Sequence, residues 1–164
     1  MKRRPLWHCE KCGWAFANRN QSHACGRHTL AAHFRNKPPE IRVLFDHVVA
    51  AVRAIGPVRI VPEKTRIAFQ ARMSFAQVTP RRSWLDSHMV LARRLEDPRF
   101  RSIQTISRRN HVHAFRLRDP REIDAEFRAW LAEAYLVGKQ EHLRIRSQNG
   151  ARTTIPHSLT RKPL

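Results

Sequence analysis

Three cysteines are present in the chain, Cys9, Cys12 and Cys25, and all fall within 17 residues, with His23 two positions before the last. Cys9-x-x-Cys12-Gly13 has the spacing of a tight turn that aims two thiolates at one ion, with the glycine letting the backbone curl beneath them. Three thiolates and one imidazole form a soft S₃N donor set, which suits tetrahedral Zn²⁺ in a structural site. His28 is an alternative fourth ligand in place of Cys25, giving a Cys₂His₂ set. A redox dithiol is the competing chemistry, but such motifs open a helix in a βαβ setting, and no such pattern surrounds these residues. Trp7 and Phe16 flank the turn and would supply the small core of a zinc knuckle. Unligated, a segment this polar has little reason to fold.

A second constellation is subtler. In Trp84-Leu-Asp86-Ser-His88 and in His111-Val-His113 the period of a strand puts Asp86 with His88 on one face, and His111 with His113 on one face. If the two strands are neighbours in the right register, a carboxylate and three imidazoles converge as a metal or acid–base site. Otherwise these are ordinary strand residues. No nucleophile motif accompanies them, and the five glycines form no phosphate cradle. A non-enzymatic role is therefore favoured over a ligand-binding or enzymatic one at this group.

The charge is more informative. Lys and Arg number 32 against 13 Asp and Glu, a formal net charge of +19. A GC-rich genome explains the preference for Arg over Lys, but not the shortage of acid. Such a balance attracts polyanions, and nucleic acid (RNA or DNA) is the partner it points to, with an acidic protein as a second candidate. The turns carrying Lys64, Arg81-Arg82 and Arg108-Arg109 are the candidate phosphate contacts. In a simple meander alternate turns share one end of the sheet, so the three would form one basic rim. Trp7, Trp14 and Phe16 could stack on unpaired bases, or serve as finger core.

These groups need elements to hold them. Residues 1–37 read as the zinc-finger-like segment, residues 38–143 as an α+β body, and residues 144–164 as a basic disordered tail. The body opens with a helix: Pro38-Pro39 starts it, Ile41, Leu44, Phe45, Val48, Val52 and Ile55 recur at three and four, and Gly56-Pro57 stops it. Strands are expected at 58–61, 66–71, 75–79, 85–91, 103–106 and 111–117. The links between them are short enough for antiparallel hairpins. Asp119-Pro120-Arg121-Glu122 reads as the cap of a closing helix with Ile123, Phe127, Trp130, Leu131 and Ala134 as its apolar stripe. The fold class is α+β: a helix, an antiparallel β-meander and a helix, preceded by a small zinc finger. No apolar run nears a membrane-spanning length, and the basic start lacks an apolar signal core, so a cytoplasmic protein without membrane contact is expected.

The body also resembles a known family. Pro39-Glu-Ile-Arg-Val-Leu-Phe-Asp-His47, Pro62-Glu-Lys-Thr-Arg-Ile-Ala-Phe69, Phe75-Ala-Gln-Val-Thr-Pro-Arg-Arg82 and His111-Val-His-Ala-Phe-Arg-Leu117 resemble the bacterial domain of unknown function 5655, over roughly residues 38–140. The resemblance implies a small α+β domain and brings no catalytic residues with it. The Cys/His front resembles a zinc-knuckle extension found on some relatives.

Overall fold

A computed structural model describes residues 4–142 apart from Ala24 and Arg27, so the expected tail lies outside the described residues. The chain opens with a two-residue hairpin, β1 (Trp7–His8) and β2 (Ala15–Phe16), and a short helix, α1 (Leu30–Phe34). The main helix α2 (Pro39–Arg53) follows, then six strands: β3 (Arg59–Pro62), β4 (Ile67–Gln70), β5 (Ser74–Pro80), β6 (Leu85–Leu91), β7 (Phe100–Ser107) and β8 (Asn110–Leu117). A 3₁₀ turn (Pro120–Glu122) leads into α3 (Ala125–Gly138). This is the α+β architecture read from the sequence, with each expected strand found within a few residues.

All six strands form one antiparallel sheet in the order β3-β4-β5-β6-β8-β7. The first four run as a meander, but β8 inserts beside β6 and leaves β7 on the edge. The β6–β7 connection is therefore not a hairpin. Residues 92–99 travel the length of the sheet before β7 begins. Leu95 in this crossover packs on the core, and its N–H donates to His113 Nε2 at 3.1 Å. Arg93 pairs with Glu133, and Arg99 with Asp124 and Glu126, which ties both ends of the crossover to α3.

Cross-strand register sorts the side chains into two faces. Ile67, Phe69, Val78, Leu85, Met89, Leu91, Phe115 and Leu117 share the inner one, where α2 and α3 cover them. Ile41, Leu44, Phe45, Val48 and Val52 descend from α2, and Phe127, Trp130, Leu131, Ala134 and Tyr135 from α3, into one continuous core. Each fully buried large side chain contributes roughly 1.5–3 kcal/mol by its removal from water. Leu30 and Phe34 of α1 join the same core, the Phe34 and Phe45 rings 5.0 Å apart, so packing reaches upstream of Pro38.

The closing helix starts later than its cap signal suggested. The Asp119 side chain accepts from Arg121 N, but this caps only the 3₁₀ turn. The helix proper is capped by Asp124, which accepts from Phe127 N at 2.8 Å. Glu122 reaches back to Arg118 N at 2.8 Å, which anchors the end of β8 to this turn.

Candidate metal centre and basic surface

Cys9, Cys12, His23 and Cys25 converge as the spacing predicted: their ligand atoms all lie within 4.8 Å of one another. Backbone bonds shape the turn that presents them. Cys9 N donates to Trp14 O at 2.9 Å and Gly13 N to Cys9 O at 2.8 Å, with Gly13 at φ +72, which suits a residue without Cβ. The Cys9 and Cys25 sulfurs are 3.3 Å apart, and His23 Nε2 lies 3.3 Å from Cys12 Sγ and 2.9 Å from Cys25 Sγ. His23 Nδ1 sits 2.6 Å from Gln21 O and donates to it, which leaves the Nε2 lone pair facing the thiols. His28 lies elsewhere: its ring folds over Gly26, so closely that a Cβ there would clash with Nε2. The donor set brought together is thus the S₃N one.

The protonation of these groups shows why a cation suits them. Backbone N–H donation from Cys12 holds the Cys9 thiol down to about 6, and hydrogen bonding to Cys9 pushes Cys25 up to about 11. One thiolate forms readily and opposes the next; a divalent ion removes that conflict. Bonds of about 2.0–2.3 Å would set tetrahedral edges of about 3.5–3.8 Å, between the 2.9–3.3 Å of these three pairs and the 4.8 Å that bounds all four donors. The four residues can hold a metal ion. Trp7, Phe16 and His23 pack as the local core, with Phe16 and His23 4.3 Å apart.

The knuckle is docked, not free. Arg59 Nη2 and Gln70 Nε2 both donate to Ala15 O, at 3.2 and 3.1 Å, and these two residues pair across β3 and β4 on the outer face of the sheet. Gln70 is only 5% exposed as a result. Sequence reasoning offered no signal for this docking, because a Gln in a strand carries no motif.

The second constellation does not assemble. Met89 pairs with His113 and Leu91 with His111, whereas His88 pairs with Ala114 and Asp86 with Arg116. The histidine pair therefore points into the core and Asp86 and His88 point out on the other face. An offset of one residue between β6 and β8 decides this. Each group has a local role instead. Asp86 accepts from Arg81 Nε, Trp84 Nε1 and Arg116 Nε at 2.8–2.9 Å; burial opposes its charge, but these donors outweigh it and lower its pKa. His88 Nδ1 accepts from Gln77 Nε2 at 2.8 Å.

His113, fully buried, is held neutral: Nδ1–H donates to His111 O at 3.0 Å while Nε2 accepts from Leu95 N. Burial lowers its pKa. A depressed imidazole contributes stability that is complete above about pH 6.5 and is lost as pH falls toward the folded value, since the unfolded state then binds more protons. Denaturation midpoints measured from pH 7.5 down to 5.5 should fall for the wild type and fall less steeply for His113→Gln. Parallel slopes would assign the acid sensitivity to other groups, such as His88 and His142, also lowered by burial.

The three basic turns do not form one rim. The register places Pro62, Pro80, Leu85 and Leu117 at one end, so the turns with Lys64 and with Arg81-Arg82 share that end, roughly 10 Å apart by strand spacing. Ser107 and Asn110 lie at the other end, beside His111 and Leu91, so Arg108-Arg109 is separated from them by the strand length. The cause is the crossover, which reverses the sense of the last hairpin. In exchange, two residues the sequence reading did not single out join the first end. Arg116 and Arg118 stack on Trp84, 4.5 and 5.4 Å from its ring centre. Trp84-x-Asp86 was legible, but only the pairing with β8 brings the arginines to it.

The fold and site define a small α+β domain with a Cys₃His knuckle on its edge strand and an arginine-rich sheet end. Residues 30–138 match the family model of a domain of unknown function, DUF5655, and the chain belongs to that family. No curated protein and no solved structure matches it. Among the described residues, no helix is long and apolar enough to cross a membrane.

Proposed function

We propose that this is a zinc-binding protein that associates non-enzymatically with nucleic acid through phosphate contacts. One observation carries the reading: at the Pro62–Pro80–Leu117 end, the side chains of Lys64, Arg82 and Arg118 are exposed and have no carboxylate partner among the described residues. Arg81 and Arg116 share the single carboxylate of Asp86, which leaves that group net positive. Guanidinium groups of this kind offer planar forks to phosphate oxygens, and Trp84 beside them offers an aromatic face.

Zinc is the metal the donor set supports best, because thiolate and imidazole are its preferred ligands and four protein donors close the site. Three thiolates with Zn²⁺ leave a single negative charge, so the knuckle with Arg4, Lys11 and Arg19 remains basic. The role of the metal is to order the knuckle. Chemistry at a shared Asp86, His88, His111 and His113 site is not favoured, because the two pairs face opposite sides of the sheet.

The test is binding of the full chain to fluorescent single- and double-stranded oligonucleotides over a salt series. For duplex DNA the log of affinity should fall against log salt with a slope of about −0.9 per phosphate neutralised, and about −4 to −5 in all if four to six contacts form. Absence of binding at low salt would remove the proposal and leave an acidic protein as the polyanion to pursue.

A further inference from the structure

The edge strand β7, the end of β8 and α3 enclose a cleft of about 300 Å³ on the same end of the sheet. Its floor is aromatic and aliphatic: Phe115, Leu117, Phe127 and Trp130 line it as buried groups, and Phe100 as a half-buried one whose ring also packs on His113 and Trp130. Its rim is cationic. Arg99 is committed, held by Asp97, Asp124 and Glu126 and lying 4.1 Å over Trp130. Arg116 is half-committed to Asp86. Arg101 and Arg118 are exposed, and among the described residues neither has a carboxylate partner, although the Arg118 guanidinium lies 5.4 Å from the Trp84 ring centre. A single carboxylate also lines the cleft, that of Glu122, one oxygen of which accepts from Arg118 N.

An apolar lining with guanidinium groups at its mouth, two of them without carboxylate partners, is a poor site for a purely hydrophobic molecule and for a bare anion alike. The first would desolvate arginines without pairing them, and the second would leave the aromatic floor unused. A ligand that joins a flat, weakly polar ring to a phosphate satisfies both. We infer that this cleft takes a nucleoside monophosphate unit, free or as part of a strand, with its base against Phe100 and its phosphate between Arg101 and Arg118. The cleft's volume of about 300 Å³ stands at the small end of ligand pockets. The free acceptor capacity of Glu122 adds a preference: adenine, cytosine and guanine carry exocyclic amino groups that can donate to it, whereas uracil offers only its N3–H, flanked by two carbonyl oxygens that a carboxylate repels. The inference rests on the nucleic-acid reading for its class of ligand; the cleft shares Arg118 with the proposed backbone contacts, whereas Lys64 and Arg82 lie outside its lining.

The experiment uses the full, metal-loaded chain at about physiological salt, where non-specific attraction is damped. AMP, CMP, UMP, ribose 5-phosphate and inorganic phosphate are titrated by calorimetry and by amide shifts of residues 98–101 and 115–118. AMP should bind at least about fivefold more tightly than ribose 5-phosphate, since base stacking on one aromatic multiplies affinity by roughly 5- to 150-fold. Arg118→Gln with Arg101→Gln should remove that binding, and Arg53→Gln, on the far end of α2, should not change it. UMP should bind more weakly than CMP. A parallel arm compares an oligonucleotide with its singly abasic counterpart. Tighter binding of the intact strand, abolished in the Arg101/Arg118 variant, with no detectable AMP binding, places the unit within a strand. AMP binding that depends on the two arginines while oligonucleotides fail to bind would keep the cleft and discard the nucleic-acid reading. Equal affinity for AMP and ribose 5-phosphate, or no effect of the double variant on nucleotide and strand alike, overturns the cleft even if oligonucleotides bind.

Discussion

Stripping the metal from the full chain, or replacing Cys12 by Ser, should unfold residues 4–28 and leave the sheet and its helices folded. The reason is the size of the knuckle's own core. Trp7, Phe16 and the His23 ring are the packed groups there, and Trp7 is only half-buried. Segments this small do not bury enough apolar surface to offset their chain entropy without a metal or a disulfide. Apparent binding energies of structural zinc are about 10–16 kcal/mol at neutral pH, so this is the largest single effect expected for the molecule. Amide correlation spectra should show signals of residues 4–28 collapsing toward random-coil shifts on chelation, and about one equivalent of zinc should accompany the purified protein. The body should lose only its docking interactions. Gln70 and Arg59 would surrender the Ala15 carbonyl, and Arg72 the Arg4 carbonyl, to solvent. A modest fall in the body's melting temperature is the expected consequence. Preserved dispersion of the knuckle signals after complete metal removal would overturn the claim that the metal orders it.

The contrast between knuckle and sheet also explains which features could be read without coordinates. Ligand spacing is local information: Cys9-x-x-Cys12-Gly13 and His23-x-Cys25 determine their turns almost alone, and the four donors meet as expected. Elements are nearly as local. The apolar period from Ile41 to Val52 is the buried face of α2, and the alternation from Leu85 to Leu91 is the buried pattern of β6. Register between strands is not local. Period two correctly groups His111 with His113 and Asp86 with His88, but one residue of offset between β6 and β8 sends the pairs to opposite faces. Strand order fails for a related reason. An eight-residue link after Leu91 is compatible with a loose hairpin or with a step across the sheet. The decision is made by tertiary groups: the buried His113 acceptor that receives Leu95 N, and the carboxylates of α3 that hold Arg93 and Arg99. Asp119 misled for a subtler reason. It is a true cap, but Ile123 leaves the helical region at ψ 57, and Asp124 must cap again.

That reversed hairpin makes the two ends of the sheet separable by mutation. Lys64→Glu with Arg82→Glu should weaken oligonucleotide binding at about 0.1 M salt by roughly 10- to 100-fold and reduce the magnitude of the salt slope by about two, one for each phosphate no longer neutralised. Arg108→Glu with Arg109→Glu changes the net charge by the same amount at the opposite end. It should therefore reproduce only the long-range part of the effect, which screening confines to about 10 Å at this salt. All four side chains are exposed and lack carboxylate partners among the described residues, so neither pair should move the melting temperature appreciably. Equal losses from the two pairs would mean that attraction is spread over the whole +19 chain and that no end is special. A larger loss from Arg108 and Arg109 would transfer the interface to the end of the sheet that holds the β7–β8 turn, the 71–73 turn and the C-terminus of α3. The predicted asymmetry follows from topology alone. Charge is abundant along this chain, but among the described residues only the end near Leu117 combines arginines without carboxylate partners, a half-exposed tryptophan beside them and a cleft with an aromatic floor.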